Sequence, residues 1–170
     1  MTTQATMLGP EAAPTRRRKP AGAPRFPLVG PTYSVRLVRE NRASAKLSFA
    51  CADDIYASLR DYMRALPHEE FWVILCDVKN SPVGSMMVSR GILDASLVHP
   101  RECFRPAILA GAASVILAHN HPSGDPEPSS EDVTLTKRLV EAGALLGIPV
   151  LDHIVCGTQG FVSFSMRGWI

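Results

Sequence analysis

From residue 33 onward the apolar positions switch repeatedly between a two-residue and a helical spacing. Tyr33–Glu40 alternates loosely, as a strand covered on one face does. Ala52–Leu66 instead places Ile55, Leu59 and Met63 on one helical face, and Pro67 ends the helix. Phe71–Cys76 and Val83–Val88 are predicted strands, joined through a turn at Lys79–Asn80–Ser81–Pro82. Pro100–Gly111 suggests a helix. Ser114–Ala118 is a short apolar run of the kind found in a central strand covered on both faces. Ser130–Leu146 has the spacing of a long helix with the stripe Leu135, Leu139, Ala142 and Leu146. Pro149–Val155 and Phe161–Phe164 are the last predicted strands. Interleaved strands and helices of these lengths predict an α/β or mixed α+β domain in three layers.

The first 32 residues break this pattern. Residues 1–30 hold five basic residues (Arg16, Arg17, Arg18, Lys19 and Arg25) against Glu11 alone, and six of the fourteen prolines fall within the first 31 positions. Such a segment has little apolar surface to set against its ordering entropy, so residues 1–32 are expected to be a disordered tail and 33–170 the folded domain. The basic run could meet nucleic acid through phosphate contacts, although solubilising sequence has the same composition. The segment contains no apolar core of a secretory signal, and no apolar run approaches the roughly 20 residues of a membrane helix. These features predict a cytoplasmic protein without a membrane partner. Cys51, Cys76, Cys103 and Cys156 are widely spaced, which fits neither a disulfide framework nor a cysteine zinc site. Cys76 and Cys156 lie in apolar runs and read as small buried hydrophobes.

Candidate chemistry concentrates in residues 118–132. His119 and His121 lie two apart at the end of the apolar run, so on a strand both imidazoles point the same way. Pro122, Gly124 and Pro126 then impose an irregular loop. Ser129 suits the N-cap of the long helix and Asp132 its third position. Asp132 also precedes Leu135 by three residues, which turns its carboxylate toward the core, where it needs a compensating cation or donor. Two neutral imidazoles and one carboxylate form the three-ligand set of a catalytic zinc site with one open position. A capping box and loop histidines would separately explain the same residues; in combination they favour metal. A hydrolytic site also needs a proton shuttle that is not a ligand. Asp125, Glu127 and Glu131 are explained by solvation. Glu69 shares parity with Phe71, Val73 and Leu75, and Glu70 with Trp72, Ile74 and Cys76, so parity alone does not choose between them.

His119-x-His121, seven residues, then Ser129-x-x-Asp132 resembles the metal motif of the JAMM (JAB/MPN) metalloenzymes. HNHPSGDPEPSSED, with GILDASLVHPRECFRPAI and HEEFWVILCD upstream and LDHIV downstream, resembles the RadC branch of that family over roughly residues 44–170. The resemblance implies a cytidine-deaminase-like fold with a central mixed sheet and one Zn²⁺. It implies His119, His121 and Asp132 as ligands and Ser129 as a donor to the oxyanion of the tetrahedral intermediate. It also maps the family glutamate, which moves a proton from the attacking water to the leaving amine, onto Glu69 rather than Glu70. The implied reaction is hydrolysis of a peptide or isopeptide bond in a peptide or protein substrate. Asp152 and His153 match a family segment and could orient a ligand, with a core hydrogen bond or a turn as the equal alternative. Longer RadC-like proteins carry an N-terminal region resembling a helix-hairpin-helix, which the Pro/Arg-rich segment here does not resemble; this weakens an inferred role in DNA repair.

Two other metal chemistries do not fit. The nuclease that shares the letters of His119–Asn120–His121 spreads those residues over a much longer ββα unit. Zinc nucleobase deaminases need H-x-E and P-C-x-x-C, and this sequence has neither. The serious rival is a non-catalytic, metal-stabilised binding module, which would not need every catalytic position filled.

Overall fold

The computed structural model describes Val38 and residues 48–91 and 98–170. The expected tail and nearly all of the expected strand Tyr33–Glu40 lie outside the described residues. Helices α1 (Ala52–Arg64), α2 (Pro100–Ala110) and α3 (Ser130–Leu146) combine with strands β1 (Glu70–Cys76), β2 (Pro82–Arg90), β3 (Ser114–Asn120), β4 (Val150–Cys156) and β5 (Phe161–Ser163). The sheet order is β2-β1-β3-β4-β5. Among the described residues only β3 and β4 pair in parallel. A parallel pair requires a crossover, and α3 provides it.

The pleat sorts most buried apolar residues into two large cores, and a smaller cluster of Val155, Val162 and Phe164 packs against Val133 of α3. Phe71, Val73 and Leu75 of β1 and Val115 and Leu117 of β3 pack with Phe104 and Ala107 of α2 and Leu135 and Leu139 of α3. On the opposite face Ile74, Cys76, Ile116, Ala118, Ile154 and Cys156 pack with Ile55 and Met63 of α1. Every residue of β3 is buried, as expected of a strand with a neighbour on each side and helices on both faces. The result is the three-layer mixed α/β arrangement, with α1 on one face and α2 and α3 on the other.

Element ends follow local chemistry. The first helix stops at Arg64, short of the expected Leu66: Ala65 and Leu66 tighten into i→i−3 bonds to Tyr62 and Met63, and the helical region is disfavoured for the residue before Pro67. β3 runs two residues beyond the expected Ala118, because His119 and Asn120 continue the ladder opposite Val155 and Cys156. In α3 the expected stripe changes at its C-terminal end. Leu135 and Leu139 are buried, but Leu146 is 47% exposed and Gly143 takes the inward position. A Cβ there would lie 2.6 Å from the Ile148 carbonyl oxygen and 3.0 Å from Phe104 Cζ, so the close approach of chain and helix admits only glycine.

The cysteines are free, with Cys51 exposed and Cys76, Cys103 and Cys156 buried. Burial pushes the Cys76 thiol up to about 11 and those of Cys103 and Cys156 to about 12, which suits packing rather than nucleophilic chemistry. Among the described residues no helix is long and apolar enough to cross a membrane.

Candidate metal centre

The site forms where the central strand ends beside the start of α3. Odd-numbered residues of β3 face α2 and α3, so the strand delivers His119 to that side, fully buried. His121 is the first residue past the strand. Its N–H donates to the Cys156 carbonyl at 2.9 Å, which holds it close to the sheet. The two imidazoles converge as their spacing predicts, with His119 Nε2 and His121 Nε2 3.0 Å apart.

Ser129 caps α3 through a capping box: its hydroxyl accepts from the Asp132 N–H at 3.1 Å, and its own N–H donates to Asp132 Oδ2 at 2.8 Å. The Ser129 hydroxyl also donates to Oδ2, at 2.7 Å. Asp132 is 5% exposed. Its Oδ1 lies 3.4 Å from His119 Nε2 and its Oδ2 3.6 Å from His121 Nε2. The helix-start and inward-acid readings of this residue are therefore both true. Burial alone would push the Asp132 carboxyl up, but the His119 and His121 imidazoles and the Ser129 hydroxyl outweigh it and hold the group well below the usual carboxylate range. The same carboxylate draws the His121 imidazole up, against its partial burial.

The donor chemistry suits a metal ion. His121 Nδ1 lies 2.8 Å from the Asp125 carbonyl oxygen, which can only accept. His121 therefore carries a ring proton on Nδ1, and its Nε2 is the nitrogen that faces His119 and Asp132. Ligand atoms from His119, His121 and Asp132 all lie within 4.8 Å of one another, so the group could hold a shared cation.

The two candidate glutamates part at the start of β1. Glu69 lines a cavity of about 260 Å³ with His121, Ser123, Ser129 and Asp132. Glu70 goes to the α1 side, fully buried, and accepts hydrogen bonds from Tyr62 Oη at 2.8 Å and Trp72 Nε1 at 2.9 Å. His68 Nε2 lies 3.1 Å and Arg90 Nε 2.9 Å from its other oxygen. Which side each glutamate takes follows from the sheet face that α3 covers, and of the two it is Glu69 that lines this cavity. Asn120, the middle residue of the histidine pair, faces the opposite way. Its Oδ1 accepts from the Glu70 N–H at 2.8 Å and its Nδ2 donates to the His68 carbonyl at 3.0 Å. These two bonds clamp residues 68–70, and hence Glu69, to the end of β3.

The other local acids lie outside the group. Glu131 is exposed beside Ser130, and Glu127 forms a two-pronged ion pair with Arg167. Asp152 holds the chain around β5, accepting from Ser163 Oγ at 2.6 Å and the Ser165 N–H at 3.0 Å. His153 is fully buried behind the site, with its Nε2 2.8 Å from His119 Nδ1 and its Nδ1 2.6 Å from Thr136 Oγ1. Burial holds its imidazole well below its ordinary value, in the neutral form. Sequence reasoning passed over Asn120, Ser123 and Thr136. Thr136 was within reach, since it follows Asp132 by four residues and so shares its helical face.

The model of the RadC-like JAB domain family matches residues 49–169. Similar curated proteins include a UPF0758 protein of Desulforamulus reducens, 46% identical over 128 residues (75% of this chain, 56% of that one). Another is from Methanosarcina acetivorans, 49% identical over 117 residues (69% and 51%). A third, from Symbiobacterium thermophilum, is 54% identical over 114 residues (67% and 49%). The chain spans about half the length of these relatives. With sheet, helices and histidine–aspartate group in the places the resemblance implied, the chain belongs to the RadC-like JAB domain family.

Proposed function

We propose that this domain is a zinc-dependent hydrolase of the JAMM type, which cleaves a peptide or isopeptide bond by attack of water. The observation that carries this reading is the shared cavity, where Glu69 opens onto the same space as His121, Ser129 and Asp132. His119, His121 and Asp132 would hold one Zn²⁺, which when bound polarises the scissile carbonyl and lowers the pKa of water to about 7. Glu69 accepts the proton of the attacking water and passes it to the leaving amine, a transfer its place on the lining of the same cavity allows. Ser129 caps the helix and donates its hydroxyl proton to Asp132. For the oxyanion role that hydroxyl turns from Asp132 toward the substrate oxygen, while the Ser129 N–H keeps the carboxylate in place.

The test begins with the metal content of protein purified without chelator, followed by assays on peptide and isopeptide substrates. The expected result is about one zinc per chain, lost from the H119A/H121A double variant, with turnover abolished in E69Q at unchanged zinc. Zinc without turnover on any substrate would favour the metal-stabilised binding module. Failure to take up zinc would overturn the reading, as would wild-type turnover in E69Q.

A further inference from the structure

We infer that Thr136 and His153 form a proton-ordering relay that keeps the Nε2 lone pair of His119 free for the metal, acting as positioning residues for a ligand that neither touches the ion to supply. This rests on the reading of His119 as a ligand and extends it to two residues behind the site. Three side chains, all fully buried, are joined in sequence: Thr136 Oγ1 to His153 Nδ1 at 2.6 Å, and His153 Nε2 to His119 Nδ1 at 2.8 Å. A fourth contact sets the direction. Thr136 Oγ1 also lies 2.6 Å from the main-chain carbonyl oxygen of Asp132.

That carbonyl can only accept, and two oxygens cannot approach so closely without a proton between them. The single hydroxyl proton of Thr136 therefore goes to Asp132, and toward His153 the hydroxyl can only accept. Full burial disfavours the charged ring, so His153 carries a single proton, which must then sit on Nδ1 and leaves its Nε2 bare. A bare Nε2 can only accept, so the His119 proton sits on Nδ1 and its own Nε2 is left without one. The opposite tautomers would put a proton on the His119 nitrogen that faces His121 and Asp132, and that nitrogen could then hold no metal. Both ends of the relay return to the same ligand set, since it starts at the carbonyl of Asp132 and ends on the ring of His119. One helical turn of α3 thus places one ligand and orders the proton of another.

Long-range proton–nitrogen NMR of the full chain labelled with ¹⁵N-histidine reads this directly, in chelator-treated protein and again with one equivalent of zinc. The expected spectrum shows His153 protonated on Nδ1 and bare on Nε2 in both states. His153 protonated on Nε2 would overturn the relay, whether or not zinc binds. A correct His153 tautomer in a protein that takes up no zinc would overturn the metal reading and leave the relay standing. Zinc competition against a chromophoric chelator adds a functional readout. T136V should bind zinc 10–100-fold more weakly, the usual cost of losing a partner behind a ligand, and T136S should restore the affinity. Wild-type affinity in a folded T136V would count against the relay.

Discussion

Glu69 and Glu70 are adjacent and chemically alike, and the pleat sends them to opposite faces of the sheet with opposite surroundings. Glu69 opens onto the cavity lined by His121, Ser129 and Asp132. Glu70 is sealed against α1. Burial would raise its carboxyl, but hydrogen bonds from Trp72, Tyr62 and His68 and the charge of Arg90 outweigh that and hold it below its ordinary value of 4.5. The folded state therefore binds fewer protons than the unfolded one in mild acid. The stabilisation is complete above about pH 4.5 and is lost as the pH falls through the lowered folded value. Replacing the carboxylate with an amide should cost about 1–3 kcal/mol at neutral pH, chiefly through the bonds to Tyr62 and Trp72. Arg90 is more than half exposed and contributes little of this. Urea unfolding of E70Q and wild type across a pH series should show the gap narrowing below about pH 4.5. A gap independent of pH would mean that the charge of Glu70 does not stabilise the fold.

At the scale of the helix, Gly143 shows how packing overrides propensity. Alanine is the better helix former by about 1 kcal/mol. Its Cβ, however, would press on the Ile148 carbonyl and the Phe104 ring, and overpacking of that kind costs about 1–3 kcal/mol. Because the nearest atom belongs to the backbone, the clash should win. G143A is expected to lower stability by up to about 2 kcal/mol, read as a fall in the urea midpoint; a rise would show that the chain gives way there. The same position marks what a sequence can reveal. Elements were legible because their signals are local: period, proline, cap and glycine. His119, His121 and Asp132 were legible for the same reason, two by strand parity and one by its place after an N-cap. Gly143 and Leu146 exchanged roles because α2 and the turn at Ile148 decide which of them faces inward, and no spacing within α3 encodes that. Asn120 and Thr136 escaped notice because their partners, the main chain at residue 68 and His153, lie 52 and 17 residues away. Thr136 reads from sequence as one more polar residue on a helix.

At the scale of the molecule, the proposed ligands come from the end of β3, the residue after it, and the first turn of α3, so one ion would join the sheet to the helix layer at a single point. The two larger apolar cores do not depend on that junction. Each joins strand and helix residues outside the ligand set, Val73 and Ala107 in one and Ile55 and Ile74 in the other. The domain should therefore fold without zinc, unlike small domains whose core is the metal itself. The effect of zinc should be local order plus a mass-action gain. With free zinc at a hundred times its dissociation constant, that gain is about 2.7 kcal/mol. For a domain of this size it corresponds to a rise in Tm of roughly 5–11 °C. The H119A/H121A variant should show no such rise. Hydrogen exchange should locate the change: on chelation, amides from His121 to Asp132 and the first turn of α3 should lose protection, while those of Val115–Leu117 stay slow. Loss of protection through β3 itself would mean that the ion holds the central sheet together. The three-layer packing would then be a consequence of the metal rather than the scaffold that positions it.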